Sequence, residues 1–243
     1  MENIVLLSVM AFLTGCIGMS IGGLAGKGIY HLYKHKVEEL YAMCGGMLIG
    51  VILLELLPES LATYGNIPIT LGALLGVLVL VGMENVLAIY SEADGPHFWS
   101  SIILLVVAIA IHNIPAGISL GTTFSTNDLG LTLLATLFVH HIPEGMVLLY
   151  TLIFEEVSFI FFLLITFILS LVLSVSTYLG IHLDSTEKWN GLLLGTAVGS
   201  FSFVALYEIL WKVKGRLTTR DFLFYILVGF VIIMGYLRLF GLR

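Results

Sequence analysis

Two near-matching segments, His112-Asn113-Ile114-Pro115-Ala116-Gly117 and His140-His141-Ile142-Pro143-Glu144-Gly145, lie inside consecutive apolar stretches of this chain. Each sets metal-capable side chains and a helix-breaking proline where hydrocarbon-compatible residues belong. Ionisable groups are costly inside a membrane and mark a functional site by default. Imidazole combined with carboxylate is the donor set that suits divalent transition metals. The chemistry implied is coordination of a divalent cation, with His112, His140 and Glu144 as first candidates and Asn113 and His141 beside them.

Spacing supports convergence. Positions four apart share a helix face, so His140 and Glu144 reach one point, and His141 lies three residues before the same carboxylate. Pro115 and Pro143 cannot donate to the helical ladder and leave the carbonyls of Ile111 and Val139 available one turn back. Bare carbonyls at membrane depth are tolerated only when they face protein, water or an ion.

The elements that position these residues follow from composition. Of 243 residues, 59% are hydrophobic and 11% charged, and the mean hydropathy is +1.08, more than a water-soluble core requires. Apolar runs of spanning length recur at 4–26, 38–58, 68–90, 99–123, 128–153, 157–181, 190–211 and 222–241. The expectation is an all-α polytopic membrane protein, a single transmembrane domain over 1–243 with eight spanning helices. The first run lacks a basic n-region and an evident cleavage site, so it is read as a helix and not as a signal peptide.

Lys and Arg in short loops concentrate on the cytoplasmic side. Lys27, Lys34 and Lys36 follow the first run and Lys212, Lys214, Arg216 and Arg220 follow the seventh; the opposite side receives Lys188, Arg238 and Arg243. Both termini are therefore expected outside. The net charge of −6 sums over both faces and gives no support for nucleic-acid binding. Cys16 and Cys44 sit in apolar helices as small packing residues, and the glycines of the first two runs suit close helix contact.

A weak internal repeat sets Val51-Ile52-Leu53-Leu54-Glu55-Leu56-Leu57 against Val204-Ala205-Leu206-Tyr207-Glu208-Ile209-Leu210. The second and seventh helices run in opposite directions, so helices one to three recur inverted as six to eight. This 3+2+3 arrangement leaves the two His-Pro helices between the triples, where inverted-repeat transporters place their site.

The chain resembles the ZIP (Zrt/Irt-like) divalent metal transporters. His140-His141-Ile142-Pro143-Glu144-Gly145 looks like the family's fifth-helix motif, His112-Asn113-Ile114-Pro115 like the start of its fourth, and Glu55-Leu56-Leu57-Pro58-Glu59 like the end of its second. The resemblance implies eight helices, outside termini and a metal site, often binuclear, bridged by a Glu from each of the fourth and fifth helices. This sequence departs from that pattern: the fourth-helix Glu position is Ala116, and residues 157–181 contain no carboxylate, with only Ser170, Ser174 and Ser176 as polar candidates near the expected place. A second ion would rest on Asn113, His141 and Glu144, so one metal site, or a weak second one, is expected.

One Glu with two or three imidazoles favours Zn²⁺ and its neighbours, with Fe²⁺ and Cd²⁺ as further substrates, over Mg²⁺, Ca²⁺ or Mn²⁺. Glu55 and Glu59 near the outer end of helix two, and Glu84 and Glu208 near the inner ends of helices three and seven, are candidate pathway residues. His31, His35 and His97 beside Asp94 fall in short cytoplasmic turns. No P-loop accompanies these helices, so flow is downhill and the inside-negative potential, about 2.3 kcal/mol per charge per 100 mV, favours uptake.

Two alternatives remain at this stage, a metal-binding sensor-like relative that does not transport, and an intramembrane metal hydrolase, for which His-Glu-x-x-His is absent. The partners expected are a divalent metal ion and the lipid bilayer, with a homodimer left open; the compact loops point to a prokaryotic cell membrane. Imidazole binds metal only when neutral, so Zn²⁺ affinity is expected to fall as pH drops through about 6.5. Equilibrium binding across the range from about pH 5 to 7.5 checks this, and a flat profile contradicts it.

Overall fold

A chain surrounded by hydrocarbon has no water to satisfy its amides, so an apolar run of spanning length closes its hydrogen bonds within a helix. The computed structural model describes residues 2–32, 36–94, 98–124, 130–182 and 187–239. Among them are eight long helices: α1 (Glu2–Leu32), α2 (Val37–Tyr64), α3 (Asn66–Asp94), α4 (Phe98–Phe124), α5 (Gly130–Phe154), α6 (Phe159–His182), α7 (187–214) and α8 (Thr219–Leu239). No strand occurs among the described residues. Seven of the helices are long and apolar enough to cross a membrane, and α5 carries a described apolar stretch, Leu137–Ile153. Lys34, His35, His97 and Arg243 lie outside the described residues.

Among the described residues each expected run falls on one helix, and several helices extend beyond it. The second continues past Pro58 to Tyr64 by passing through a π-helical turn, Ile52–Leu56, which sets Pro58 at the start of the next α-helical segment. Proline is tolerated there because its missing N–H falls in a first turn. A second π-helical turn, Val204–Trp211, interrupts α7. The two π turns cover the two segments of the internal repeat and carry Glu55 and Glu208. Helices α4 and α5 continue through Pro115 and Pro143.

Packing follows the same repeat. Four parallel helix pairs are joined where a glycine meets the neighbouring backbone. A Cβ on Gly22 of α1 would lie 1.9 Å from the Ile142 carbonyl of α5, and one on Gly145 of α5 lies 2.1 Å from that of Met19. Gly121 and Gly180 bring α4 against α6, Gly46 and Gly229 bring α2 against α8, and Gly72 and Gly199 bring α3 against α7. Exchanging α1 with α6, α2 with α7, α3 with α8 and α4 with α5 carries this set of pairs onto itself. That is the contact pattern of an inverted 3+2+3 arrangement. Close backbone approach at small residues is how helices associate without a hydrophobic driving force.

The outer faces are apolar, with Leu74 and Leu78 on α3, Phe167 and Leu171 on α6, and Leu223 and Leu227 on α8 exposed. Where a water-soluble protein carries charge, this bundle presents hydrocarbon. Helix α5 is its most enclosed described element, with Met146 to Leu149, Tyr150 and Leu152 all buried.

Gly22→Ala forces α1 from α5 at the level of the His-Pro motif, and the strain of overpacking is about 1–3 kcal/mol. A lowered melting temperature in detergent is the expected result. Gly28→Ala is the control: its Cβ meets nothing within 4 Å, and alanine there is neutral or stabilising by about 0.5–1 kcal/mol. Equal effects of the two substitutions would contradict the packing account.

Candidate metal centre

The α4–α5 contact brings the two motifs together at the middle of both helices. His112 Nε2 lies 3.7 Å, and His140 Nε2 3.6 Å, from the same oxygen, Glu144 Oε1. The donor atoms of His112, His140 and Glu144 all lie within 4.8 Å of one another, and all three residues are buried. Bonds of about 2.0–2.1 Å to a tetrahedral ion would put neighbouring donors about 3.3 Å apart. The observed separations need only a small inward movement to meet that.

The two imidazoles are stacked, with centroids 5.1 Å apart and planes 14° from parallel. On its other side His112 meets the ring of Phe201 from α7 at 4.2 Å. The His141 Nδ1 lies 2.5 Å from the Leu137 carbonyl of its own helix. A carbonyl only accepts, so Nδ1 carries the proton and Nε2 of the neutral ring keeps its lone pair, 3.9 Å from Glu144 Oε2. The His140 Nδ1 faces Glu55 Oε2 of α2 at 3.4 Å. A carboxylate behind an imidazole in this way fixes the ring and its tautomer for a ligand on the other nitrogen.

Seven buried polar atoms in this region have no hydrogen-bond partner: Nδ1 and Nε2 of His112, Oδ1 of Asn113, Nε2 of His140, Nε2 of His141, and both carboxylate oxygens of Glu144. Buried polar groups are rarely left unpaired, and such a concentration calls for a missing partner. The donor atoms of His112, His140 and Glu144 among them lie close enough together to hold one cation.

The remaining sequence candidates are distributed differently. Asn113 donates through Nδ2 to the Leu169 carbonyl of α6 at 3.3 Å, which turns it toward that helix. Glu59 is exposed and within electrostatic range of Glu55 and His140. Glu84 bonds Tyr207, whose ring is 41% exposed, and does not join the buried group. Glu208 is buried and paired with Lys212 at 2.5 Å. Ala116 belongs to an apolar cluster with Leu7, Leu120, Leu134, Leu137 and Leu173.

Features that the sequence does not mark complete the surroundings. On the side of the centre where α2 and α4 begin and α5 and α7 end, Leu48, Leu105, Ile109, Val147, Phe201 and Val204 enclose a small apolar cavity beneath Glu144. Farther along, Tyr41 of α2 shares a buried hydrogen bond of 3.0 Å with Thr151 of α5. On the opposite side lie Glu55 and Glu59. The helices thus present a carboxylate-lined approach at one side of the centre and an apolar wall at the other.

Comparison with known proteins agrees with this geometry. Residues 97–237 match the ZIP zinc transporter family model. A protein of Bacillus velezensis described as "Putative manganese efflux pump MntP" is 27% identical over 136 residues, covering 54% of this chain and 71% of that protein. The family match alone spans more than half of the chain, including both His-Pro motifs and the π turn of α7. The chain belongs to the ZIP zinc transporter family, and it is an integral membrane transporter of divalent metal ions, not an enzyme.

Proposed function

We propose that this protein takes up zinc toward the cytoplasm through one mid-bundle site formed by His112, His140 and Glu144, with His141 as the fourth donor and Glu55 holding His140 in place. The observation that supports this reading is the buried group of His112, His140 and Glu144, whose donor atoms lie within 4.8 Å of one another and include unpaired acceptors. A carboxylate and three imidazoles carry one formal negative charge, a set softer than the oxygen cages that hard cations prefer. The π turn of α2 carries Glu55 at the approach, and Glu59, exposed beyond it, is the first carboxylate an arriving ion meets. The basic end of the bundle, with Lys27, Lys36, Lys212 and Arg216, is the cytoplasmic one in this reading, and both termini then lie outside. Import follows from the membrane potential acting on a cation.

The likeness to a protein named as a manganese efflux pump favours a second reading, manganese export. The two differ in ion and in direction. Zn²⁺ and Mn²⁺ transport measured side by side in proteoliposomes, with and without an imposed potential, separates them.

Glu144→Gln and His140→Ala each abolish saturable Zn²⁺ uptake while leaving the purified protein monodisperse; undiminished uptake in either overturns the site. Ala116→Glu is expected to lower uptake at least tenfold and to add no second ion. Ala116 packs among Leu7, Leu120, Leu134, Leu137 and Leu173, so the larger side chain overpacks that cluster at a cost of about 1–3 kcal/mol. Faster uptake by this variant, or a second bound Zn²⁺, would show that the site has room for the bridging arrangement.

A further inference from the structure

The internal repeat relates Glu55 to Glu208, and by the same offset it relates Glu59 to Lys212. Both pairs are four residues apart on one helix face. At the approach the pair is Glu–Glu, with Glu59 exposed. At the basic end it is Glu–Lys, closed by an ion pair of 2.5 Å. The two sides of the pathway share a backbone device, a π turn bearing a carboxylate, and differ in the charge placed one turn beyond it.

The Glu208 carboxyl is almost wholly enclosed, whereas the side chain of Lys212 keeps 33% of its surface. Around them lie Glu155 at the end of α5, Arg216, and the Tyr41–Thr151 hydrogen bond. Burial lifts the Glu155 carboxyl above its usual range, Lys212 and Arg216 pull it down, and Glu208 pushes it up. These groups join α2, α5 and α7 beyond the apolar cavity that Leu48, Val147 and Phe201 help to enclose. Val204, which lines that cavity, precedes Glu208 by four residues in the π turn of α7.

We propose that Lys212 is a tethered cation that occupies Glu208 and closes the basic end of the pathway, so that the transported ion must displace the ammonium to leave. The inference rests on the mid-bundle transport reading. Its physical basis is that a buried carboxylate does not stay uncompensated. Either Lys212 or a passing divalent ion serves as its partner, and the two exclude one another. An ammonium on a flexible stem suits this exchange better than a bidentate guanidinium. The ion pair lowers affinity for metal on the basic side, and Glu55 with Glu59 keeps it high on the other, so the sides differ without any difference in the central ligands.

Two measurements test this. In single-orientation proteoliposomes, Lys212→Gln lowers the half-saturating Zn²⁺ concentration at the basic face at least fivefold and leaves that at the opposite face within twofold. Adding Glu208→Gln removes the gain, and Lys212→Arg, which keeps a cation on Glu208, shows no gain. An unchanged basic-face value in Lys212→Gln, or a gain that survives Glu208→Gln, overturns the proposal. In the unsubstituted protein, where folding is not in question, saturating Zn²⁺ raises the rate at which N-hydroxysuccinimide acetate labels Lys212 at least threefold by mass spectrometry. Unchanged or slower labelling also overturns it. Failure of the mid-bundle reading looks different: Glu144→Gln would then still transport, whatever Lys212 does.

Discussion

Everything in this bundle turns on one buried carboxylate. Glu144 is 1% exposed, accepts no hydrogen bond, and has imidazole nitrogens of three histidines within 4 Å. A charge in such surroundings is strongly unfavourable without a partner. The protein supplies none that would neutralise it permanently: among the described residues no Lys or Arg is ion-paired with it. In the proposed reading the group is held ready for a cation that comes and goes, which is what a substrate site requires and a structural ion pair would defeat.

Holding it there depends on backbone contacts far cheaper in sequence than the site itself. Glycines on α1 and α5 let the two backbones touch beside His141 and Ile142, and equivalent glycines bring α4 against α6. The motif helices are thereby each clamped to one helix of a triple. The two triples meet along α1 and α6, which cross antiparallel with Ser174 donating to the Ser8 carbonyl at 2.8 Å. This places His112 and His140 from opposite directions onto one point. The asymmetry between Ala116 and Glu144 then decides the charge of the centre: one motif contributes an imidazole and a methyl group, the other an imidazole pair and a carboxylate. With Ala116 packed among leucines, the space of a bridging carboxylate is filled by core.

Much of this was legible in the sequence. Eight apolar runs became eight helices because hydrocarbon leaves the backbone no other choice, and His112, His140 and Glu144 stood out because their chemistry is costly at that depth. The repeat was visible only as a faint alignment around Glu55 and Glu208, and the matching π turns and exchanged helix pairs give it physical content. The rest depended on register between helices that no spacing encodes. Phe201 meets the His112 ring at a tilt and Tyr41 bonds Thr151 because α7 and α2 slide to particular heights against α4 and α5. Glu84 illustrates the converse: its position near a helix end suggested a pathway, yet the register of α3 and α7 delivers it to Tyr207. The pairing of Glu208 with Lys212 needed only their spacing of four, which the sequence displayed.

The proposed centre is a single ion held by histidine nitrogens and one carboxylate. X-ray absorption at the zinc edge, on protein loaded to a stoichiometry fixed by equilibrium dialysis, tests it most directly. The expected result is one Zn²⁺ per chain with two or three imidazoles and oxygen completing four ligands at about 2.0–2.1 Å. Two equivalent ions per chain, a shell dominated by water oxygen, or sulfur at about 2.3 Å from Cys16 or Cys44 would contradict it.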